Sequence, residues 1–197
     1  MTHLRIVLMA LVAIALTAAV AIGCRGREVA DQDTAPVIDV ELMAFLSEAR
    51  ALHHQANMKE ASNDLPGAAA AMRRLVTARR PHQGSSAPEV EEVLADAYAR
   101  LGEIELRQNA LDAAAEAIRA GLSHAPEPTY FRGHLLEIQG LIEEARAAML
   151  ADAGKPEEAA RARENAIRLL EDVVRIQDQV IERALQARDG GVREGAR

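Results

Sequence analysis

Aromatic residues are scarce in this chain of 197 residues, which has two Tyr, two Phe and no Trp, or 2% of the total. Single-stranded nucleic acids and sugars are bound by stacking on aromatic faces, so the composition argues against both kinds of ligand. Positive charge is also in deficit: 23 Lys and Arg stand against 30 Asp and Glu, a net charge of −7. Because the sequence contains no block of basic residues that could bind a phosphate backbone, nucleic-acid binding is not expected.

Cysteine and proline are sparse as well. The single cysteine, Cys24, excludes a disulfide framework and a thiolate metal cluster. The seven prolines occur at short breaks or in the N-terminal region, and β-branched residues never gather into alternating runs. These features exclude a β-sandwich, a barrel or a Rossmann-type sheet, and the sequence predicts an all-α protein.

The N-terminus has the organisation of a secretory signal. A short start that ends in Arg5 precedes the uncharged apolar run 6–22, which is followed by Gly23 and Cys24. The segment Ala21-Ile22-Gly23-Cys24 resembles the lipobox of bacterial lipoproteins, with Ala21 at the position where that family usually has Leu. The resemblance implies cleavage after Gly23 and acylation of Cys24, which would anchor the protein to a membrane.

The chain after the signal peptide 1–23 is expected to begin with the lipidated cysteine and a flexible tether, residues 24–36. By the same resemblance, Arg25 directly after the cysteine implies sorting to the periplasmic face of the outer membrane. The alternative is an uncleaved helix in the inner membrane, because residues 6–23 would span about 27 Å. Cleavage would leave 22 basic and 30 acidic residues, a net charge of −8, so attachment must come from the lipid or the helix.

The remainder consists of helical segments separated by short breaks. Each break contains Pro, Gly or Asn, the residues that end or begin helices. We expect a helical domain over residues 37–188, with antiparallel hairpins, and a disordered Gly-rich tail over 189–197. The predicted segments are 38–62, 66–80, 88–107, 110–124, 128–153 and 156–188.

The breaks recur at nearly constant intervals. Equivalent positions at Ala68, Ala114 and Ala159 are 46 and 45 residues apart, which is typical of stacked helical hairpins. Residues 95–128 resemble the tetratricopeptide repeat (TPR), although Glu105 stands where that family has its second aromatic residue. The resemblance implies about three hairpins in a right-handed array with a long C-terminal helix. The expected repeat-packing residues are Tyr98, Leu101, Gly102, Ala114, Ile118 and Pro126.

In TPR proteins the first helices of the hairpins line a groove that binds a partner segment. The resemblance places Asp96, Arg100, Glu103 and Arg107 of the middle hairpin in this groove. By a weaker alignment the first hairpin would contribute Arg50, His53, His54, Asn57 and Glu60. The alternative is that these residues form ordinary solvated helix faces with ion pairs one turn apart, such as Arg100 with Glu103.

The last predicted helix carries an apolar seam at alternating spacings of four and three residues. Such a seam either covers the end of the array within the chain or mediates homodimerisation as a coiled coil. Arg183 ends the seam after fewer than three heptads, which favours the first alternative. The seam residues are Ala162, Ala166, Leu169, Val173, Ile176 and Val180.

The sequence has no pattern that indicates an enzyme. It lacks a nucleophile elbow, a phosphate-binding loop and an HExxH motif. The adjacent His53 and His54 point about 100° apart on a helix, so they cannot hold one metal ion between them. We therefore expect no cofactor and no metal, and a scaffold that binds other envelope proteins. The alternative is a structural lipoprotein that self-associates as a spacer.

Overall fold

The computed structural model describes residues 39–84 and 87–194. The predicted signal peptide, Cys24 and the tether lie outside the described residues. Six α-helices and one 3₁₀ turn, Pro81–Gly84, occupy the described part, which confirms the all-α class. The helices are α1 (Val40–Ala61), α2 (Leu65–Val76), α3 (Pro88–Arg107), α4 (Leu111–His124), α5 (Tyr130–Asp152) and α6 (Pro156–Glu194).

Three helix–helix turns share one geometry. Each has a residue in the left-handed region: Asn63 at φ 58°, Asn109 at φ 59° and Gly154 at φ 74°. In each turn, the amide of the following residue donates to the carbonyl five residues back, at 2.8–2.9 Å. This is the Schellman motif, which ends a helix and reverses the chain. The three turns have the 46- and 45-residue spacing seen in the sequence.

The helices pair as hairpins, α1 with α2, α3 with α4 and α5 with α6. The second pair is antiparallel, since Gly102 lies against Ile118 while Tyr98, one turn earlier, lies against Gly121. Within the described residues, each hairpin contacts only its neighbour in sequence: α3 packs on α1 and α2, and α5 packs on α3 and α4.

The core lies in two layers between successive hairpins, and α3 contributes to both. Leu94 and Ile104 of α3 are buried in the layer with α1 and α2. Ala95 and Ala99, on another face of α3, are buried in the layer with α4 and α5, beside Leu135. The two small side chains leave room for α5 to approach α3 closely.

Two helix ends differ from the prediction by more than two residues. Helix α2 ends at Val76 rather than at residue 80. The Thr77 hydroxyl donates to the Arg73 carbonyl at 2.9 Å, and the Ala78 amide donates to the Leu75 carbonyl, so the last turn tightens and the helix stops. Helix α6 continues to Glu194, so residues 189–194 of the predicted disordered tail are helical. Glycine costs about 1 kcal/mol relative to Ala within a helix, but unlike proline it keeps its backbone N–H.

The predicted seam of α6 packs against α5 within the same chain. Ala162, Ala166 and Ile176 are buried there, and Gly133 of α5 lies against Ile176. This packing agrees with the interpretation that the sequence favours, a helix that covers the end of the array within the chain, rather than with a coiled-coil homodimer through the same seam. Among the described helices, none is both long enough and apolar enough to cross a bilayer.

Candidate functional site

Five polar residues that the sequence places in a partner groove form one network between α1 and α3. Arg100 donates to Asn57 Oδ1 at 3.1 Å and forms an ion pair with Glu60. Arg107 forms a second ion pair with the same Glu60 carboxylate, and Arg100 lies 3.5 Å from Glu103. The expected pair within α3 is thus present, but the main partners come from the other helix. We call Asn57, Glu60, Arg100, Glu103 and Arg107 the α1–α3 polar cluster.

Toward the N-terminal ends of the same two helices, the surface opens into a groove of about 420 Å³. Its floor is apolar and its rim is charged. We call it the α1–α3 groove. Its lining residues are Leu46, Ala49, Arg50, His53, Glu89, Glu92, Val93, Asp96 and, from α5, Phe131.

The rim of the groove is predominantly acidic. Burial lowers the pKa of His53; the Asp96 carboxylate, 3.7 Å away, opposes this shift and Arg100 adds to it. His53 is therefore neutral at pH 7, and three carboxylates face the single cation Arg50 across the groove. Within the described residues, Glu89 and Glu92 form no ion pair. An acidic rim around an apolar floor suits a segment that carries Lys or Arg beside apolar side chains.

The groove includes three of the predicted site residues, Arg50, His53 and Asp96. His54, also predicted to face a partner, is exposed and does not line the α1–α3 groove. Two adjacent helix residues diverge by about 100°, so only one of them can face α3.

Sequence reasoning missed the half of the groove that lies nearer the N-termini of α1 and α3. Glu92 and Val93 lie one turn before Asp96, and Glu89 lies one turn before these. The signal was available, since extending the predicted face of α3 by one helical turn reaches Glu92 and Val93, and a second turn reaches Glu89. Phe131 comes from α5, and nothing in the local pattern pointed to it.

The residues predicted to pack the middle repeat lie mainly where α3 meets α4. A Cβ atom on Gly102 would stand 2.6 Å from Ile118 Cδ1 and 3.5 Å from the Ala114 carbonyl oxygen, so the glycine permits the close approach. Leu101 is buried in the first core layer. Tyr98 stacks on His124, with ring centroids 5.5 Å apart. Pro126 is exposed in the loop after α4.

Glu105, at the expected second aromatic position of the repeat, is 4% exposed. It forms an ion pair with Arg73 of α2, whose side chain is half-exposed. A carboxylate with so little contact with water is stable only with a charged partner. The glutamate that departs from the repeat pattern is therefore neutralised by an arginine from the preceding hairpin.

A second histidine holds the start of α1 against the 3₁₀ turn. His82 Nε2 lies 2.6 Å from Asp39 Oδ2, and the His82 amide donates to Glu41 Oε2 at 2.7 Å. The hydrogen bond to Asp39 raises the pKa of His82. The pKa of Asp39 is lowered, chiefly by the backbone amide of Leu42 and then by His82.

In the described part of the chain, no three His, Cys, Asp or Glu side chains come close enough together to hold a metal ion. Comparisons with protein-family models, curated proteins and solved structures gave no match to the chain.

Proposed function

We propose that this protein is a non-enzymatic, membrane-anchored scaffold of the bacterial cell envelope, and that it binds a segment of a partner protein in the α1–α3 groove. The observation that carries the proposal is the groove itself, with an apolar floor inside an acidic rim. Apolar contacts supply affinity in such a site, while the charges select the partner and set its orientation.

The arrangement of the helices supports a TPR-like array. The first helix of each hairpin contacts the first helix of the next, and the second helix contacts it too. The three Schellman turns repeat at the interval of the sequence motif. In such an array the first helices line one face, and that face holds the groove.

The membrane anchor rests on the N-terminal sequence. The apolar run 6–22 and Cys24 at its end support a lipoprotein whose body faces the periplasm from the outer membrane, with inner-membrane attachment as the alternative. Three acyl chains hold a protein stably at a membrane, whereas one chain binds only marginally.

The anchor is tested by metabolic labelling with a fatty acid. We expect the wild-type protein to carry the label in the outer-membrane fraction, and Cys24→Ser to lose it. An unlabelled wild-type chain of full precursor length would contradict lipidation and favour a membrane-spanning first segment.

The groove is tested by photo-crosslinking in the bacterium that produces the protein. A photoreactive amino acid at Glu92 on the groove rim is compared with one at Arg119 on α4; both positions are exposed. We expect a discrete crosslinked partner only from position 92, and we expect Val93→Glu to abolish it by placing charge on the floor. Equal crosslinking from both positions, or none from position 92, would contradict the proposed site.

A further inference from the structure

Helix α6 has a second, mostly exposed apolar row beside the seam that packs on α5; only at Leu170 does this row also lie against α5, at Gly140. Its side chains are between 40% and 62% exposed. At 100° per residue, all five lie within about 40° of Val174 around the helix, so they form one continuous face. We call this row the α6 stripe: Ile167, Leu170, Val174, Ile181 and Leu185.

The equivalent face is covered in the first two hairpins. With the 46- and 45-residue offsets of the repeat, Val76 of α2 and Leu122 of α4 correspond to Ile167. Val76 packs in the first core layer and Leu122 in the second, and each of these layers includes residues of the hairpin that follows. Within the described residues, no following hairpin covers the corresponding position of α6, and Ile167 is 57% exposed. The stripe therefore begins as the stacking face at the open end of the array.

The stripe also continues past the end of its own hairpin. Within the described residues, α6 contacts only α5. Near the start of α5, Arg183 donates to the Pro128 carbonyl at 3.1 Å, and α6 runs on from there to Glu194. An isolated helical end of this length is marginally stable in water. Leu185 lies on this extension, so a contact there would stabilise the helix as well as cover the apolar surface.

The charges beside the stripe are complementary to a second copy of the same helix. Along one flank the sign alternates at Glu164, Arg168, Glu171 and Arg175, with Glu182 further on. In an antiparallel pair about a twofold axis, Glu171 of each copy would lie opposite Arg175 of the other. A lipid surface fits less well, because helices that lie on anionic membranes have a predominantly basic rim.

The other end of the array does not offer a matching surface. Met43 and Met58 of α1 are exposed, but Ser47, His54 and Gln55 lie between them. Head-to-tail stacking would thus set an apolar stripe against a polar face. Pairing of two stripes about a twofold axis puts apolar against apolar and closes the assembly.

We propose that two copies of this protein pair through their α6 stripes, so that each copy covers the open end of the other's array. Ile167, Val174 and Ile181 are seven residues apart, the spacing of one seam position in a coiled coil. Asp178 lies beside this row, and a polar residue at a seam lowers stability while it fixes the register.

The test is sedimentation equilibrium of the full protein, purified from membranes in a density-matched detergent. Val174→Asp is compared with Met58→Asp, because both side chains are 62% exposed and only Val174 lies in the stripe. We expect the wild type and Met58→Asp to form dimers, and Val174→Asp to raise the dimer Kd by about 100-fold or more. Asp178→Leu is expected to lower the Kd by about tenfold.

A monomeric wild type would overturn the proposal and leave the stripe to a different protein. Unchanged dimers of Val174→Asp, or equal weakening by Met58→Asp, would overturn it by placing the contact elsewhere. Circular dichroism checks that the variants keep their helical content. If Val174→Asp loses helix, Val174→Gln, which adds no charge, replaces it, and it too must weaken the dimer.

Discussion

The two halves of the surface between α1 and α3 are built from the same helices and differ in how their charges are used. In the α1–α3 polar cluster, one carboxylate, Glu60, serves two arginines. In the α1–α3 groove, Glu89 and Glu92 face an apolar floor and, within the described residues, form no ion pair. Both halves contain acidic and basic side chains, so the sign of the charges does not distinguish them. A charged helix face is open to a partner only where the chain itself has not supplied one.

The strongest test of this distinction is at the most buried charge, Glu105. Arg73→Ala leaves its carboxylate without the partner that offsets the loss of water, and we expect the free energy of unfolding to fall by about 2–3 kcal/mol. Chemical denaturation followed by circular dichroism measures the change.

Glu105→Leu is the matched variant. It removes the charge rather than its partner, and leucine suits a buried position, so we expect a change of less than about 1 kcal/mol. If Arg73→Ala were no more destabilising than Glu105→Leu, water would be reaching the carboxylate, and the pair would be one more surface ion pair.

The next test compares one glutamate from each half. Glu60→Ala leaves Arg100 and Arg107 without their shared partner, and we expect a loss of about 1–2 kcal/mol in unfolding free energy. Glu92→Ala removes an exposed carboxylate that has no ion-pair partner among the described residues, so we expect a change within about 0.5 kcal/mol.

The same two variants are expected to have the opposite ranking in partner binding. With the photoreactive amino acid at Glu89 on the same rim, Glu92→Ala is expected to weaken crosslinking of the partner, whereas Glu60→Ala is expected to leave it unchanged. If each variant lost both stability and crosslinking of the partner, the two halves would not be independent. The groove would then depend on the polar cluster for its shape.

Much of this architecture follows from local sequence signals. Asn109 and Gly154 end helices at the predicted breaks because the left-handed conformation is accessible to them. The pair between Arg100 and Glu103 was visible as an i,i+3 spacing. These features depend on residues a few positions apart, and the sequence shows such residues directly.

What the sequence did not reveal depends on contacts between distant residues. Arg100 and Glu60 are 40 residues apart, and their pairing requires the offset between α1 and α3, which no spacing encodes. Phe131 reaches the groove because α5 packs on α3. The seam of α6 was identified correctly as an apolar row, but a single helix does not show which of its two apolar faces the neighbouring helix covers.

The finest test uses two histidines, one in the groove and one at the start of α1. Burial lowers the pKa of His53, so the unfolded chain binds its proton first, and this contribution to stability falls as the pH drops below about 6.5. Asp39 raises the pKa of His82, so the stability from that pair is present below about pH 6.5 and is lost as the pH rises through the raised pKa.

Titration of both imidazoles by NMR checks the two directions in one sample. Because the Asp96 carboxylate opposes the shift at His53, Asp96→Asn is expected to lower the His53 pKa further and leave His82 unchanged. Asp39→Asn is expected to return the His82 pKa toward about 6.5 without affecting His53. A His53 that titrates at or above the ordinary value would mean that the groove floor is wet, and the apolar contacts proposed for the partner would lose their basis.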